Sequence, residues 1–340
     1  MKLLDYDLRL DVISEGYDRQ TEWFQPRIGI IPPSTAVLTM TRAQLWGSDI
    51  FGAVQEFRSE DLGETWAGPV VHDTLDRRVL PDGTEVCPCD LTPAWHAESG
   101  KLLMTGHTAA YGGPRGIVMA SNAQRRDIVW SVYDADTQRW SEWEVLEPPD
   151  RDRFWWTSAG CSQRVDLADG TILLPVSLMS RAEVGENFWR GCFATSVLRC
   201  SFDGERLEII KQGNEMTVPE PRGLYEPSLT RFGDRFYLTL RNDRRAWVSE
   251  GDGLWFAPPV RWRFNDGTEL GSYNTQAHWV THSDALFLTY TRHGAGNDHV
   301  IRHRAPLFMA QVDPERLCVI RETERIIVPD YGAQLGNFGA

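Results

Sequence analysis

Five times along this 340-residue chain a strand-like run meets a Gly/Asp/Ser turn and a second apolar strand, and a polar loop and an outer hairpin follow. The units start near Arg27, Asp90, Ser158, Tyr225 and Thr275, roughly 50–65 residues apart, the kind of period that repeat architectures show. No stretch of convincing length carries the 3.6-residue apolar period of a helix. Each unit therefore reads as one four-stranded sheet, and radial closure is how such sheets protect their edges. The expectation is an all-β chain folded as a single β-propeller domain, residues 1–340. After the fifth unit only residues 331–340 remain, enough for one strand, and residues 3–13 offer one or two more. The reading is five full blades plus a minimal sixth closed by the two termini.

One hairpin turn is sharper than the rest: Ser59-Glu60-Asp61-Leu62-Gly63-Glu64-Thr65-Trp66. A short carboxylate at Asp61 caps turn amides, Gly63 accepts a positive φ, and Trp66 returns the chain to the sheet as an apolar anchor. Ser249-Glu250-Gly251-Asp252-Gly253-Leu254-Trp255 is a second turn of this kind, and residues 130–140 hold a degenerate one. The pattern resembles the Asp-box of sialidases and related β-propellers.

Composition sets the outer bounds. The chain has 14 Trp, 29 Gly and 19 Pro, a profile of aromatics and turns that suits many short strands. Its net charge of −13 argues against nucleic acid as a partner. No apolar run approaches the roughly 20 residues of a membrane span, and the first residues lack the apolar core of a secretion signal. Six cysteines without a disulfide framework fit a reduced, cytoplasmic setting. Cys87-Pro88-Cys89 lacks a second pair at zinc-finger spacing, so no metal and no other cofactor is expected.

Blade topology then says where chemistry belongs. In an up-and-down blade the first strand starts, and the second ends, on the face opposite the outer hairpin turns. Residues at those positions converge on the mouth of the central channel, where propellers bind ligands. First-strand starts supply Arg27, Asp90, Ser162 or Gln163, Glu226 and Gln276. Second-strand ends and following loops supply Asp49, His107, Tyr111, Arg241 and Arg292. Arginines hold carboxylates or vicinal hydroxyls through paired N–H donors. Carboxylates and a histidine move protons. Trp155 or Trp189 is available to stack on a sugar ring.

Arg27-Ile28-Gly29, Ser48-Asp49, Glu226, Arg241 and the Ser249 to Trp255 turn follow one another in the order of sialidase motifs. That resemblance covers roughly residues 20–75 and 220–262 and implies a carbohydrate partner. It implies a glycoside hydrolase that removes a terminal acidic or deoxy sugar, with Asp49 or His107 as proton donor and Glu226 as base or activator. Arg27 and Arg241 would bind the substrate, with Asp90, Tyr111, Gln276 and Arg292 beside them. The family's tyrosine nucleophile and third arginine fall on no defined motif; Tyr273, Tyr331, Arg292 and Arg304 are the residues on offer. Two other readings stand: a lyase on uronate-containing glycans, with His107 and Tyr111 moving the C5 proton, and a non-catalytic glycan-binding propeller. Asp298, His299 and His303 would share one strand face at period 2 and could hold a metal, against which stands the plainer reading of a polar outer strand.

Overall fold

The computed structural model describes residues 2–112, 116–118, 124–185 and 191–340. Five antiparallel sheets stand in chain order around a central channel, one per repeat unit. Blade I is the plain case, with strands Thr21–Ile31, Thr35–Gln44, Phe51–Ser59 and Ala67–Val71 paired in sequence. The innermost strands of the others begin at Glu85, Trp156, Tyr225 and His278. Apolar residues fill the spaces between neighbouring sheets. Leu103, Trp130, Ile172 and Leu174 pack blade II on blade III, and Tyr237, Trp262, Trp279 and Leu288 pack blade IV on blade V. No helix among the described residues is long and apolar enough to cross a membrane.

Each outer hairpin turns on one aspartate that accepts at least two local hydrogen bonds. Asp61, Asp134, Asp203, Asp252 and Asp313 occupy this place in blades I to V. In blade I the Asp61 carboxylate accepts from the Thr65 amide and hydroxyl and from Ser59, while Trp66 Nε1 donates to Gly63 O at 3.0 Å. Those bonds, the Thr65 hydroxyl first, pull the Asp61 carboxyl down to about 2. A depressed folded-state value means stability present above the unfolded value near 3.9 and lost as the pH falls toward 2. Asp61→Ala is therefore expected to lower the melting temperature at neutral pH and to flatten its fall between about pH 4 and pH 2. Circular dichroism melts across that window check it.

The ring closes with five blades, and the expected sixth is not formed. Neither residues 2–20 nor residues 329–340 contain a paired strand. The N-terminal segment instead bridges blade V to blade I. Leu4 N and Lys2 O bond the Gln311 side chain, Tyr6 meets Phe287 edge-on, and Arg9 reaches Glu64. The C-terminal segment enters the central channel. Arg27 donates to Asn337 O at 2.8 Å, Gln276 to Phe338 O at 3.4 Å and Gln163 to Ala340 O at 3.2 Å. Phe338 sets its ring edge-on to His278. Side chains thus satisfy the backbone groups that a sixth sheet would have paired.

Candidate active site

In or beside every first strand, at its channel end, one residue takes a left-handed backbone. Gln25, Asp90, Cys161, Glu226 and Asn274 all have positive φ, between 45° and 56°. In blades I, II and IV they sit in β-bulges, where the register slips after Phe24, Cys89 and Tyr225. None is glycine, and a left-handed residue costs about 1–2 kcal/mol. Such strain gathers where a side chain must be re-aimed, commonly beside a functional site. Residues two positions further share the same strand face, one step deeper. They are Arg27, Thr92, Gln163, Ser228 and Gln276, and three of them grip the 337–340 segment. The channel therefore has two tiers.

Above the upper tier lies a cavity of about 770 Å³, with Gln334 and Asn337 of the C-terminal segment in its lining. On its blade IV side Arg241, 8% exposed, donates to Glu226 and to Asn274 Oδ1 and lies 4.7 Å over the Tyr225 ring. Burial works against the Arg241 charge, and Glu226 and Tyr225 together outweigh it, so the guanidinium is held above its ordinary value. Tyr225 donates to Asp243, and Arg222 donates to both at 3.1 and 3.3 Å. Burial pushes the Tyr225 phenol up, so it stays protonated. From blade V come Arg302 and Arg304. Burial first, then repulsion from Arg241 and Arg302, lowers Arg304 to about 10. The cations are crowded.

The blade II side is built differently. Asp90 lies 3.8 Å from Arg27 and 3.7 Å from His107 Nε2, and Cys161 Sγ donates to its Oδ1 at 2.9 Å. Burial raises the Asp90 carboxyl to about 6 against the pull of Arg27. His107 Nδ1 pairs with Ser158 Oγ at 2.8 Å, and burial with the Arg126 charge keeps the ring neutral. Gly160 makes this fit possible: a Cβ there would fall 2.2 Å from His107 Nδ1 and 2.6 Å from the Asp90 Cβ. At the blade I edge, Asp49 sits with φ 56° and accepts from the Ser48 hydroxyl.

Of the residues expected at the mouth, Asp49, Asp90, His107, Glu226 and Arg241 line this one cavity. Four do not. Arg27 and Gln276 belong to the lower tier and spend their donors on the C-terminal segment. Tyr111 is buried beneath Arg77; its hydroxyl donates to Asp49 O and accepts from Phe51 N, so it shapes the loop that carries Asp49. Arg292 is locked in a paired contact with Glu324, at 2.8 and 2.6 Å. Tyr331 is exposed, and Tyr273 bonds His303 Nδ1 outside the cavity lining. The Asp298, His299 and His303 strand is absent: Ile301–His303 forms a 3₁₀ turn, His299 pairs with Asp330, and His303 with Asp298. Trp155 lies under Arg181, and Trp189 falls outside the described residues. Arg126, Arg222, Asp243 and Arg302 line the cavity without having been expected. Asp243 and Arg302 lie in the loops after the second strands of blades IV and V, where blade topology points to the mouth but not to which loop residue reaches it.

The chain matches no known family in sequence and no curated protein. Solved structures resemble it in fold. A Dyadobacter fermentans protein of unknown function aligns with TM-score 0.63 at 14% identity, over 95% of this chain and 87% of its own. Trypanosoma rangeli sialidase aligns with TM-score 0.58 at 14% identity, over 86% of this chain and 47% of its own. A Hadza microbial sialidase gives 0.56 and 14%, over 85% of this chain and 56% of its own. This chain thus spans about half the length of the sialidases it resembles, and its fold is a sialidase-like β-propeller.

Proposed function

We propose that this protein is a glycoside hydrolase that releases a terminal acidic sugar from a glycan or glycoside. The observation that carries the reading is the meeting of Arg241, Arg302 and Arg304 with Glu226 and Asp49 around one cavity. Burial, with repulsion from Arg241 and Arg302 behind it, lowers Arg304 to about 10, and an anion between the three guanidinium groups would relieve that repulsion. A sugar carboxylate supplies one. On a chain of net charge −13, a cavity whose lining sets five arginines against five carboxylates is locally the more favourable surface for an anion. The Trypanosoma rangeli sialidase that shares the fold has also been solved in complex with sialic acid, which adds to the reading.

Hydrolysis of a glycoside needs a proton donor on the leaving oxygen and a carboxylate on the other side of the sugar. Glu226, oriented by Arg241, fits the second role as base or nucleophile. Of the two expected donors, Asp49 fits better, because burial keeps His107 neutral and so without the extra proton to give. Tyr111 lies outside the cavity, which removes the partner that the lyase reading gave to His107.

A panel of chromogenic glycosides tests the reading. Acidic sugars are expected to be turned over with kcat/KM at least about 100-fold above matched neutral ones, from two charge-assisted contacts. An unsaturated product absorbing in the near ultraviolet would make the enzyme a lyase. Calorimetric binding without turnover would make it a glycan-binding propeller.

A further inference from the structure

Beyond the glycosidase reading, and independent of it, we propose that Cys89, Asp90 and His107 form a binding site for a divalent transition ion of the zinc type, open to the cavity. A sulfur, a carboxylate oxygen and a ring nitrogen from these residues lie within 4.8 Å of one another. Register explains why. Cys89 and His107 are directly opposed across the first two strands of blade II, Glu85–His96 and Lys101–Gly112, so their side chains share a face. Asp90 would ordinarily point to the other face. The bulge after Cys89, with Asp90 at φ 52°, turns it back toward both. Three donors of different kinds converge only because of that strained residue.

Two donor atoms have no other work. Cys89 is 2% exposed, and its sulfur has no hydrogen-bond partner among the described residues. His107 is 4% exposed; in the tautomer that donates Nδ1–H to Ser158 Oγ, its Nε2 keeps a lone pair, and no hydrogen-bond partner for it lies among the described residues. Metal-bound histidines are held in this way through their second nitrogen. The Gly160 amide donates to the same Ser158 oxygen at 3.0 Å and fixes it. Asp90 is held from behind through Oδ1 by Cys161, which leaves Oδ2 facing His107 Nε2 at 3.7 Å. Ligands about 2.0–2.3 Å from a tetrahedral ion are about 3.3–3.8 Å apart; Asp90 Oδ2 and His107 Nε2 already stand at 3.7 Å, and the sulfur lies within 4.8 Å of both.

Thiolate, imidazole and carboxylate together select zinc-type ions over magnesium or calcium. Three protein ligands with the fourth position toward the cavity make an open site, the arrangement in which a bound water stays exchangeable. On binding, the Cys89 S–H bond breaks, a sulfur–metal bond forms and the proton leaves to solvent; no electron is transferred. The nearby charge of Arg126 opposes the ion, and Asp49 and Glu226 act on Arg126 with the opposite sign.

Chelator-stripped full-length protein titrated with Co²⁺ tests the site. The expected result is saturation at one equivalent, with a thiolate-to-cobalt charge-transfer band, the visible bands of a tetrahedral ion, and loss of both when Zn²⁺ is added. Cys89→Ala is expected to abolish the charge-transfer band, His107→Gln and Asp90→Asn to weaken binding at least about 10-fold, and Cys318→Ala to change nothing. Absence of the band at one equivalent, or its persistence in Cys89→Ala, overturns the proposal. Should Cys89→Ala fail to fold, zinc-edge X-ray absorption of the unmodified protein decides: one sulfur among the ligands upholds the site, and an all-nitrogen/oxygen shell overturns it.

Discussion

Glu226→Gln is expected to lower kcat on an acidic glycoside by about 10²–10⁴-fold, the range that a positioned acid or base contributes. The substitution keeps the size of the side chain and removes its charge and basicity. Arg241 then loses the carboxylate that now neutralises it, and a buried guanidinium without its partner costs about 3–5 kcal/mol of stability. Thermal melts must therefore accompany the kinetics, so that a loss of rate is read only on folded protein. Arg241→Lys separates binding from chemistry. A lysine keeps the charge but cannot reach Glu226 and Asn274 Oδ1 at once, as the guanidinium does. Its expected signature is a higher KM for acidic substrates with a smaller change in kcat. If folded Glu226→Gln turned over substrate at the unmodified rate, the assignment of Glu226 would be wrong, whatever the substrate.

How far the sequence carried is best seen at two registers. The outer turns were legible because their chemistry is local. An aspartate two to four residues ahead of the amides it caps leaves a mark in the sequence, as Asp61 and Asp252 do; Asp313, in an Asp-Pro-Glu-Arg turn without glycine or tryptophan, carries bonds of the same kind and less of the mark. The inner ends were legible only to within one step. A strand repeats every two residues, so Arg27 and Gln25 share a face, as do Gln276 and Asn274. Of these four only Asn274 lines the cavity; how deep each residue sits depends on where the bend falls, and nothing local announces a positive φ at glutamine, cysteine or glutamate. Arg27 and Gln276 look like site residues because they are charged or polar and nearly fully buried. They are so because they hold the backbone of residues 337 and 338. That segment looked like a strand. Its docking in the channel is a long-range contact, set by the shape of five other elements.

A loss of stability as large is expected from a single substitution at Glu56, outside the cavity. Glu56 lies on the third strand of blade I, 4% exposed, between that blade and blade II. Its carboxylate accepts from His72 Nε2 at 2.9 Å, Tyr133 OH at 2.9 Å and Trp140 Nε1 at 3.0 Å. Arg58 donates in turn to the Tyr133 oxygen at 2.8 Å. A buried carboxylate is tolerable here because donors from both blades surround it. Glu56→Leu removes every acceptor and leaves three donors facing hydrocarbon, which is expected to cost about 3–5 kcal/mol in urea unfolding. Glu56→Gln keeps one acceptor oxygen but turns an NH₂ toward another donor, so a smaller loss is expected. Pairing Glu56→Leu with Trp140→Phe should recover part of the loss, since the second change removes one stranded donor. A Glu56→Leu cost below about 1 kcal/mol would mean that water reaches these groups and that the two blades are held by their apolar contacts alone. The blades joined here carry Asp49 on one side and Asp90 and His107 on the other. A loosened seam is therefore expected to lower activity further than the folded fraction accounts for.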